Sequence, residues 1–305
     1  MRRLRFGAVV REAESGRAWA ERARRLEGAG FEVLLVPDHL VGARFAPIAA
    51  LTAAACATSR LRVGTLVFAN DFRHPAVLAK EAATLDLLSG GRLELGIGTG
   101  WMAGDYAGAG LALEPPGTRI DRLREALTVL KGLWADGQFS FEGRHYRIRD
   151  LDQHPKPIRR PHPPLLLGAG GRRMLRLAAE EADIVNIATR VRPDGGGPDP
   201  RDGGRAAFLA KLDLLRTAAA GRYERLELGT SVLQVGEPAA RESWSAAADG
   251  PALDGTPQAL LGTRHDLAEQ IRYWRDEHDI SYFVLHHERD LPAFTPVVEE
   301  LATRG

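Results

Sequence analysis

Two hydrophobic rhythms take turns along the chain. Residues 4–10 read as a strand, and 17–27 follow with Trp19, Ala23 and Leu26 at helical spacing before Gly28 and Gly30 stop the pattern. Residues 31–36 form an almost uninterrupted apolar run, as expected of a parallel strand covered on both faces, and it ends at Pro37-Asp38-His39. An Ala-rich helix over 47–58, a third strand over 61–68 and a helix over 75–88 with proline in its first turn continue the alternation. In 90–101, GGRLELGIGTGW, Leu93, Leu95 and Ile97 alternate with Glu94 and Gly96, which predicts a fourth strand. Gly96, Gly98 and Gly100 leave the end of that strand open to a ligand, or serve only to let strands pack closely. A fourth helix over 118–134 puts Ile120, Leu123, Leu127, Leu130 and Trp134 on one side.

The rhythm breaks at 137–163, where Phe139, Phe141, Tyr146 and Ile148 around Gly143 predict a small hairpin, followed by a proline-rich strap. It returns as a strand at 164–167 running into Gly168-Ala169-Gly170-Gly171, a helix over 172–181 and a strand over 184–187. Residues 190–204 are too rich in glycine and proline for a regular element and predict a mobile insertion or lid. Then come a helix at 208–217, a strand at 226–235, a polar loop at 236–255, a helix at 267–274, a strand at 281–286 and a helix at 293–301. About eight strand–helix units in 305 residues give an α/β chain folded as a single (β/α)8 barrel of the TIM type over 1–305, with insertions at 137–163 and 190–204. In that fold every strand tip faces the same mouth, so residues far apart in sequence meet there.

Composition narrows the partners. With 41 basic and 40 acidic residues the formal charge is +1, which provides no global field for nucleic acid or an anionic membrane. A single cysteine, Cys56, excludes an intramolecular disulfide and a thiolate metal cluster, in keeping with a reducing, cytoplasmic setting. The basic start at 1–6 runs into a strand and not into an apolar export core, and no apolar run approaches the roughly 20 residues needed to cross a bilayer. The commonest hydrolase and triphosphate motifs are missing. The G-x-G-x-G spacing also lacks the tail of a dinucleotide fingerprint, with no helical pattern until about Gly117.

Candidate chemistry gathers at the strand tips. The glycines of 168–171, followed by Arg172 and Arg173 at a helix start, offer backbone N–H groups to a phosphate, or form a plain glycine turn. Asp38 and His39 combine a group that titrates near neutrality with a carboxylate able to orient it, or make a structural hydrogen-bonding pair. Trp101 offers an apolar wall to a ring or substrate, or covers the barrel rim. Arg73 and His74, before a proline, read mainly as structural support. His286-His287-Glu288 suggests a metal site only superficially, because strand neighbours point to opposite faces and no metal is expected there.

Several motifs together resemble the luciferase-like monooxygenase superfamily, specifically its branch of coenzyme F420-dependent oxidoreductases. They are PDHL at 37–40, the block from Asn70 to Trp101, PPLLLGAGGRR at 163–173, ADIVN at 182–186 and the Gly-Thr step at 262–263. The resemblance implies one barrel with a flavin or deazaflavin ring in its mouth, F420 or alternatively FMN, and the cofactor phosphate on the loop after the fifth strand. It implies a non-proline cis peptide near Leu66-Val67. By the same resemblance, Asp38, Leu66, Val67, Asn70, Thr99 and Gly100 lie along the cofactor with Gly168, Gly170, Gly171 and Arg172, and His39 and Asp38 are the catalytic pair. It also implies a small-molecule substrate, a homodimer, and a flavin or F420 reductase as supplier of reduced cofactor. Reduced flavin with oxygen on the same barrel, and a non-catalytic flavin-binding paralogue, are the alternatives. In the superfamily's sugar-phosphate dehydrogenases a proton-donating carboxylate follows the Thr-Gly step and a tryptophan follows the strand-two histidine. Here those places hold Trp101 and the run Leu40-Val41-Gly42, which argues against a sugar phosphate.

Overall fold

The computed structural model describes residues 2–42, 44–236 and 252–302. The first half runs β1 (Arg5–Val9), α1 (Gly16–Gly28), β2 (Val33–Val36), α2 (Pro47–Ala57), β3 (Arg62–Thr65), β4 (Phe68–Ala69), α3 (Pro75–Leu88), β5 (Leu93–Gly98), α4 (Ala103–Ala109) and α5 (Pro116–Trp134). After it come β6 (Phe139–Glu142), β7 (Arg147–Leu151), β8 (Leu165–Ala169), α6 (Arg172–Glu181), β9 (Ile184–Ile187) and α7 (Gly204–Ala219). The chain closes with β10 (Glu227–Val232), β11 (Gln234–Gly236), β12 (Ala259–Leu261), α8 (Arg264–His278), β13 (Ile280–Leu285) and α9 (Leu291–Ala302).

Eight parallel strands close a barrel in the order β1, β2, β3, β5, β8, β9, β10, β13, with β13 returning to β1 and the helices outside. The alternation read from sequence divides the side chains between two cores. Outward residues such as Phe6, Leu34, Leu95, Leu167 and Phe283 pack under the helices. Inward residues Val9, Val33, Leu35, Leu166, Ile184, Tyr282 and Val284 fill the barrel together with Leu66 and Val67. Two indole N–H groups buried among the helices are satisfied by main-chain carbonyls, Trp19 on Ala50 at 2.8 Å and Trp134 on Ala79 at 3.0 Å.

The N-terminal end of the barrel is plugged by charge. Glu94, only 1% exposed, points inward from β5 and pairs with Arg5 and with Arg62, at 2.5 Å from the latter's Nε. Arg5 also holds Glu227 at 2.5 Å and lies 4.6 Å from the centre of the Tyr282 ring. Each buried charge is matched, so the strand ends can be sealed without an uncompensated ion.

The elements differ from the sequence reading in ways that shape the mouth. The third strand is interrupted: the Leu66–Val67 peptide is cis, and β4 resumes with Phe68 opposite Ile97 and Ala69 opposite Gly98. The stretch expected to be free of helix before Gly117 contains α4, whose Ala- and Gly-rich sequence carries no apolar stripe yet buries Asp105 and Tyr106. The seventh strand leaves the barrel at Val232, and its continuation β11 pairs in parallel with β12 instead. Of the expected polar loop at 236–255, residues 237–251 lie outside the described residues.

The hairpin of the first insertion is β6 against β7, and the Glu125 carboxylate of α5 fixes its turn by accepting the N–H groups of Arg144, His145 and Tyr146 at 2.9, 2.8 and 3.1 Å. The 190–204 loop, expected as an insertion or lid, has internal structure: Val191 bridges Pro198, and Asp202 accepts the Arg190 N–H at 2.5 Å and pairs with Lys211 of α7. Among the described residues no helix is long and apolar enough to cross a membrane.

Barrel closure sets a sharp contrast between two glycines. A Cβ on Gly96 would overlap the Thr65 carbonyl across the β3–β5 seam, whereas one on Gly104 meets nothing within 4 Å. Gly96→Ala is expected to cost about 1–3 kcal/mol or more in denaturant unfolding, and Gly104→Ala to be neutral or to gain up to about 1 kcal/mol. Equal stability of the two variants would contradict this packing of the seam.

Candidate active site

At the C-terminal end of the barrel His39, three residues past β2, is held from across the mouth. Its Nδ1 lies 2.6 Å from Asp105 Oδ2 of α4, while Asp105 Oδ1 accepts the N–H groups of Leu40 at 2.8 Å and Val41 at 2.9 Å. Burial disfavours the Asp105 charge, but the His39 ring and those two N–H groups outweigh it and hold the carboxyl below its ordinary range. A carboxylate on Nδ1 favours the proton on that nitrogen, which leaves Nε2 as the one free to accept or return a proton. The Trp101 ring stands edge-on to His39, with centroids 5.9 Å apart at 89°.

The expected Asp38–His39 partnership is not what the structure contains. Asp38 and His39, both past the end of β2, take separate partners. Asp38 accepts the Ala69 N–H at 3.0 Å and a two-pronged contact from Arg73 at 2.6 and 3.3 Å, fastening the β2 tip to β4 just beyond the cis peptide. Arg73 in turn lies 4.5 Å from the centre of the Phe68 ring. Asp105, the group that does orient His39, was missed by sequence reasoning. Its only signal was a lone carboxylate among small residues four positions after Trp101.

The rest of the rim is built where side chains are absent. Gly100 has φ of 72°, a left-handed conformation, and a Cβ there would overlap the Tyr106 hydroxyl. Its carbonyl accepts a hydrogen bond from the buried Arg119 guanidinium, and Thr99 Oγ1 donates to the same carbonyl at 3.1 Å. Val67 leans across the open floor, its methyl groups facing the Cα positions of Gly98 and Gly168. Asn70 is buried and donates to the Tyr146 hydroxyl at 3.1 Å, so it ties the hairpin insertion to the mouth.

On the opposite side of the ring, Gly170 is pressed against Thr189 and Arg190, where a Cβ would come within 2.8 Å of backbone atoms. Gly171 caps α6 with no side chain of its own, and Arg172 begins the helix on the exposed side. Asn186, on the next strand, is buried with Oδ1 lacking a partner among the described residues. The 190–204 loop completes the rim, because the Gly195 carbonyl accepts the Ala103 N–H at 3.2 Å and Gly195 itself rests against the Trp101 carbonyl. The expected residues thus lie at strand ends on one rim, with Trp101 meeting His39 directly and the loop joining Trp101 to the Gly170 side. Among the described residues no group of three or more His, Cys, Asp or Glu side chains is placed to hold a metal ion.

Known proteins share this architecture. The structure superposes on coenzyme F420-dependent tetrahydromethanopterin reductase from Methanopyrus kandleri with a TM-score of 0.75 at 18% identity, covering 99% of this chain and 98% of that one, a likeness of fold. An F420-dependent glucose-6-phosphate dehydrogenase of Intrasporangium calvum is 37% identical over 171 residues, 52% of this chain and 50% of its own. An FMNH2-dependent dimethylsulfone monooxygenase of Pseudomonas putida is 30% identical over 187 residues, 58% of this chain and 51% of its own. The chain therefore spans about half the length of these two relatives. The description of luciferase-like monooxygenases matches residues 4–196, more than half of the sequence and the part that carries β1 to β9, His39, Trp101, Asp105 and the glycine loop. This chain belongs to the luciferase-like monooxygenase family.

Proposed function

We propose that the protein is an F420-dependent oxidoreductase that moves a hydride to or from a small organic substrate, with His39 as the proton-handling group. The observation that carries this reading is the His39–Asp105 pair beside Trp101 at the mouth, 2.6 Å between nitrogen and oxygen. Hydride chemistry at a carbon bearing oxygen or nitrogen needs one proton given or taken nearby, and an imidazole oriented by a carboxylate is suited to that task.

The residues present fit a flat ring with a phosphate tail. Val67 between the side-chain-free positions Gly98 and Gly168 offers an apolar floor, Asn186 Oδ1 is a buried acceptor in need of a donor, and the start of α6 after Gly170 and Gly171 supplies N–H groups to an anion. When bound, F420 supplies a carbon that accepts or gives a hydride. Asp38, through Ala69 and Arg73, would hold the 66–69 segment in place under such a ring, and Thr99 and Gly100 would form the wall beside it. Asp105 keeps the His39 ring turned so that Nε2 remains available, and Trp101 limits the water that reaches it. A homodimer, and a reductase returning the cofactor to its reduced form, belong to the same proposal.

The second reading is an FMN-dependent monooxygenase, favoured by the dimethylsulfone monooxygenase relative at 30% identity. The F420 reading comes first because the dehydrogenase relative reaches 37% over a segment of similar length. Titration of the purified protein with F420 and with FMN, followed by tryptophan fluorescence, is expected to give micromolar or tighter binding of F420. Oxygen consumption with reduced FMN would transfer the proposal to the second reading, and binding of neither cofactor would remove both.

His39→Ala is expected to lower kcat by roughly 10²–10⁴-fold with cofactor affinity retained, measured by steady-state turnover and the same fluorescence titration. Unchanged turnover would deprive His39 of its role.

Asp105→Asn should also slow turnover while leaving cofactor affinity intact. It has a stability signature as well: the folded carboxyl titrates below its unfolded value, so its contribution is fully present above pH about 4 and fades as the pH falls further. The stability gap between the native protein and Asp105→Asn is therefore expected to hold down to pH about 4 and to narrow below it in denaturant titrations. A gap that is unchanged or wider below pH about 4 would contradict the lowered titration of Asp105.

A further inference from the structure

One corner of the mouth, made by the ends of β1 and β13 and the loop after β2, holds more basic groups than the chemistry at His39 uses. Arg11, two residues past β1, donates through Nη1 to the His286 carbonyl at 2.9 Å, and its own carbonyl accepts the Phe45 N–H at 2.9 Å, which brings Arg44 alongside. Arg44 donates to the Val41 carbonyl at 2.8 Å. Both guanidinium groups are thus anchored on main-chain oxygens, and among the described residues neither forms an ion pair. The acid that faces Arg11, Glu288, is already held by Arg22 at 3.1 Å.

His286 continues the inward register of Tyr282 and Val284, so its ring enters the mouth from β13. Its Nδ1 and the Nε of Arg44 are both shut off from solvent without a hydrogen-bond partner among the described residues. Buried polar groups are ordinarily hydrogen-bonded, and a ligand in this corner would give these nitrogens a partner. Burial, followed by Arg11, His287, His39 and Arg44, pushes the His286 imidazole well below its ordinary titration range and keeps it neutral. Burial and the neighbouring Arg44 likewise disfavour the charge on Arg11, against a weaker opposing effect of Glu288. An anion placed here would relieve the mutual repulsion and give the orphaned nitrogens a partner.

We propose that this corner is the subsite for an anionic group on the substrate, specifically a carboxylate, with Arg11 and Arg44 as charged donors and His286 as a neutral one. The proposal rests on the functional reading above and adds a substrate class to it. Guanidinium groups suit a planar carboxylate, which two of them can bind with directed, charge-assisted hydrogen bonds. The position also separates two anions: β1 stands across the ring from β8, so the corner lies on the far side of the mouth from the Gly170 loop. A substrate gripped here by its carboxylate would direct its remaining atoms back toward His39 and Trp101.

The test is calorimetric titration of the purified full chain with benzoate and hexanoate and with their neutral counterparts benzamide and hexanamide. At least one carboxylate is expected to bind about tenfold or more tightly than its amide. Arg11→Gln, or Arg44→Gln should the first variant fail to fold, is expected to abolish that preference while F420 or FMN affinity stays as in the native protein. Equal binding of acid and amide, no binding by either carboxylate, or a preference that survives both substitutions overturns the subsite. These titrations need no cofactor, so loss of the functional reading through failure of both cofactors to bind would leave the result here decisive on its own.

Discussion

Everything at the mouth depends on the β3–β5 seam closing the barrel. Two strands can be drawn together there because both present positions without side chains: a Cβ on Gly64 would strike the Glu94 carbonyl and one on Gly96 the Thr65 carbonyl. Once the ring is shut, the parallel direction of all eight strands sends every tip to the same end, and the paired charges around Glu94 seal the other. Glycine in a strand ordinarily weakens it, so this seam exchanges local strand preference for closure. The same residue type, repeated at Gly98, Gly100 and Gly168, keeps the opposite end empty of side chains where a ligand has room to lie.

Much of this was legible before any coordinates. The period-two and period-3.6 patterns located the barrel strands and most of the helices, because burial on both faces of a parallel sheet writes long apolar runs and burial of one helix face writes a stripe. The tip residues followed from the fold, since a barrel makes the strand ends a short list. What escaped had physical reasons. Helix α4 has no stripe to read, its Ala and Gly residues being nearly neutral in that respect. The exit of β11 from the barrel depends on a partner strand, β12, lying beyond a long polar stretch. The break in the third strand has no signature in composition and was expected only from the resemblance.

The site shows a further limit. Adjacency in sequence suggested that Asp38 serves His39, but each has its partner across space: Asp38 in Arg73 and His39 in Asp105. A carboxylate's role is set by which donors surround it in three dimensions. Asp105 collects two main-chain N–H groups and an imidazole, Asp38 a guanidinium and one N–H, so one positions a ring and the other fastens a loop. Family membership sets the chain beside relatives named as F420-dependent and FMNH2-dependent enzymes.

The contact between Gly195 and the start of α4 joins the 190–204 loop to the helix that carries Asp105. The Ala103 N–H that Gly195 receives sits two residues before Asp105, and Gly195 also abuts the carbonyl of Trp101. Any displacement of Gly195 would therefore remove a hydrogen bond at the start of the helix whose Asp105 holds His39.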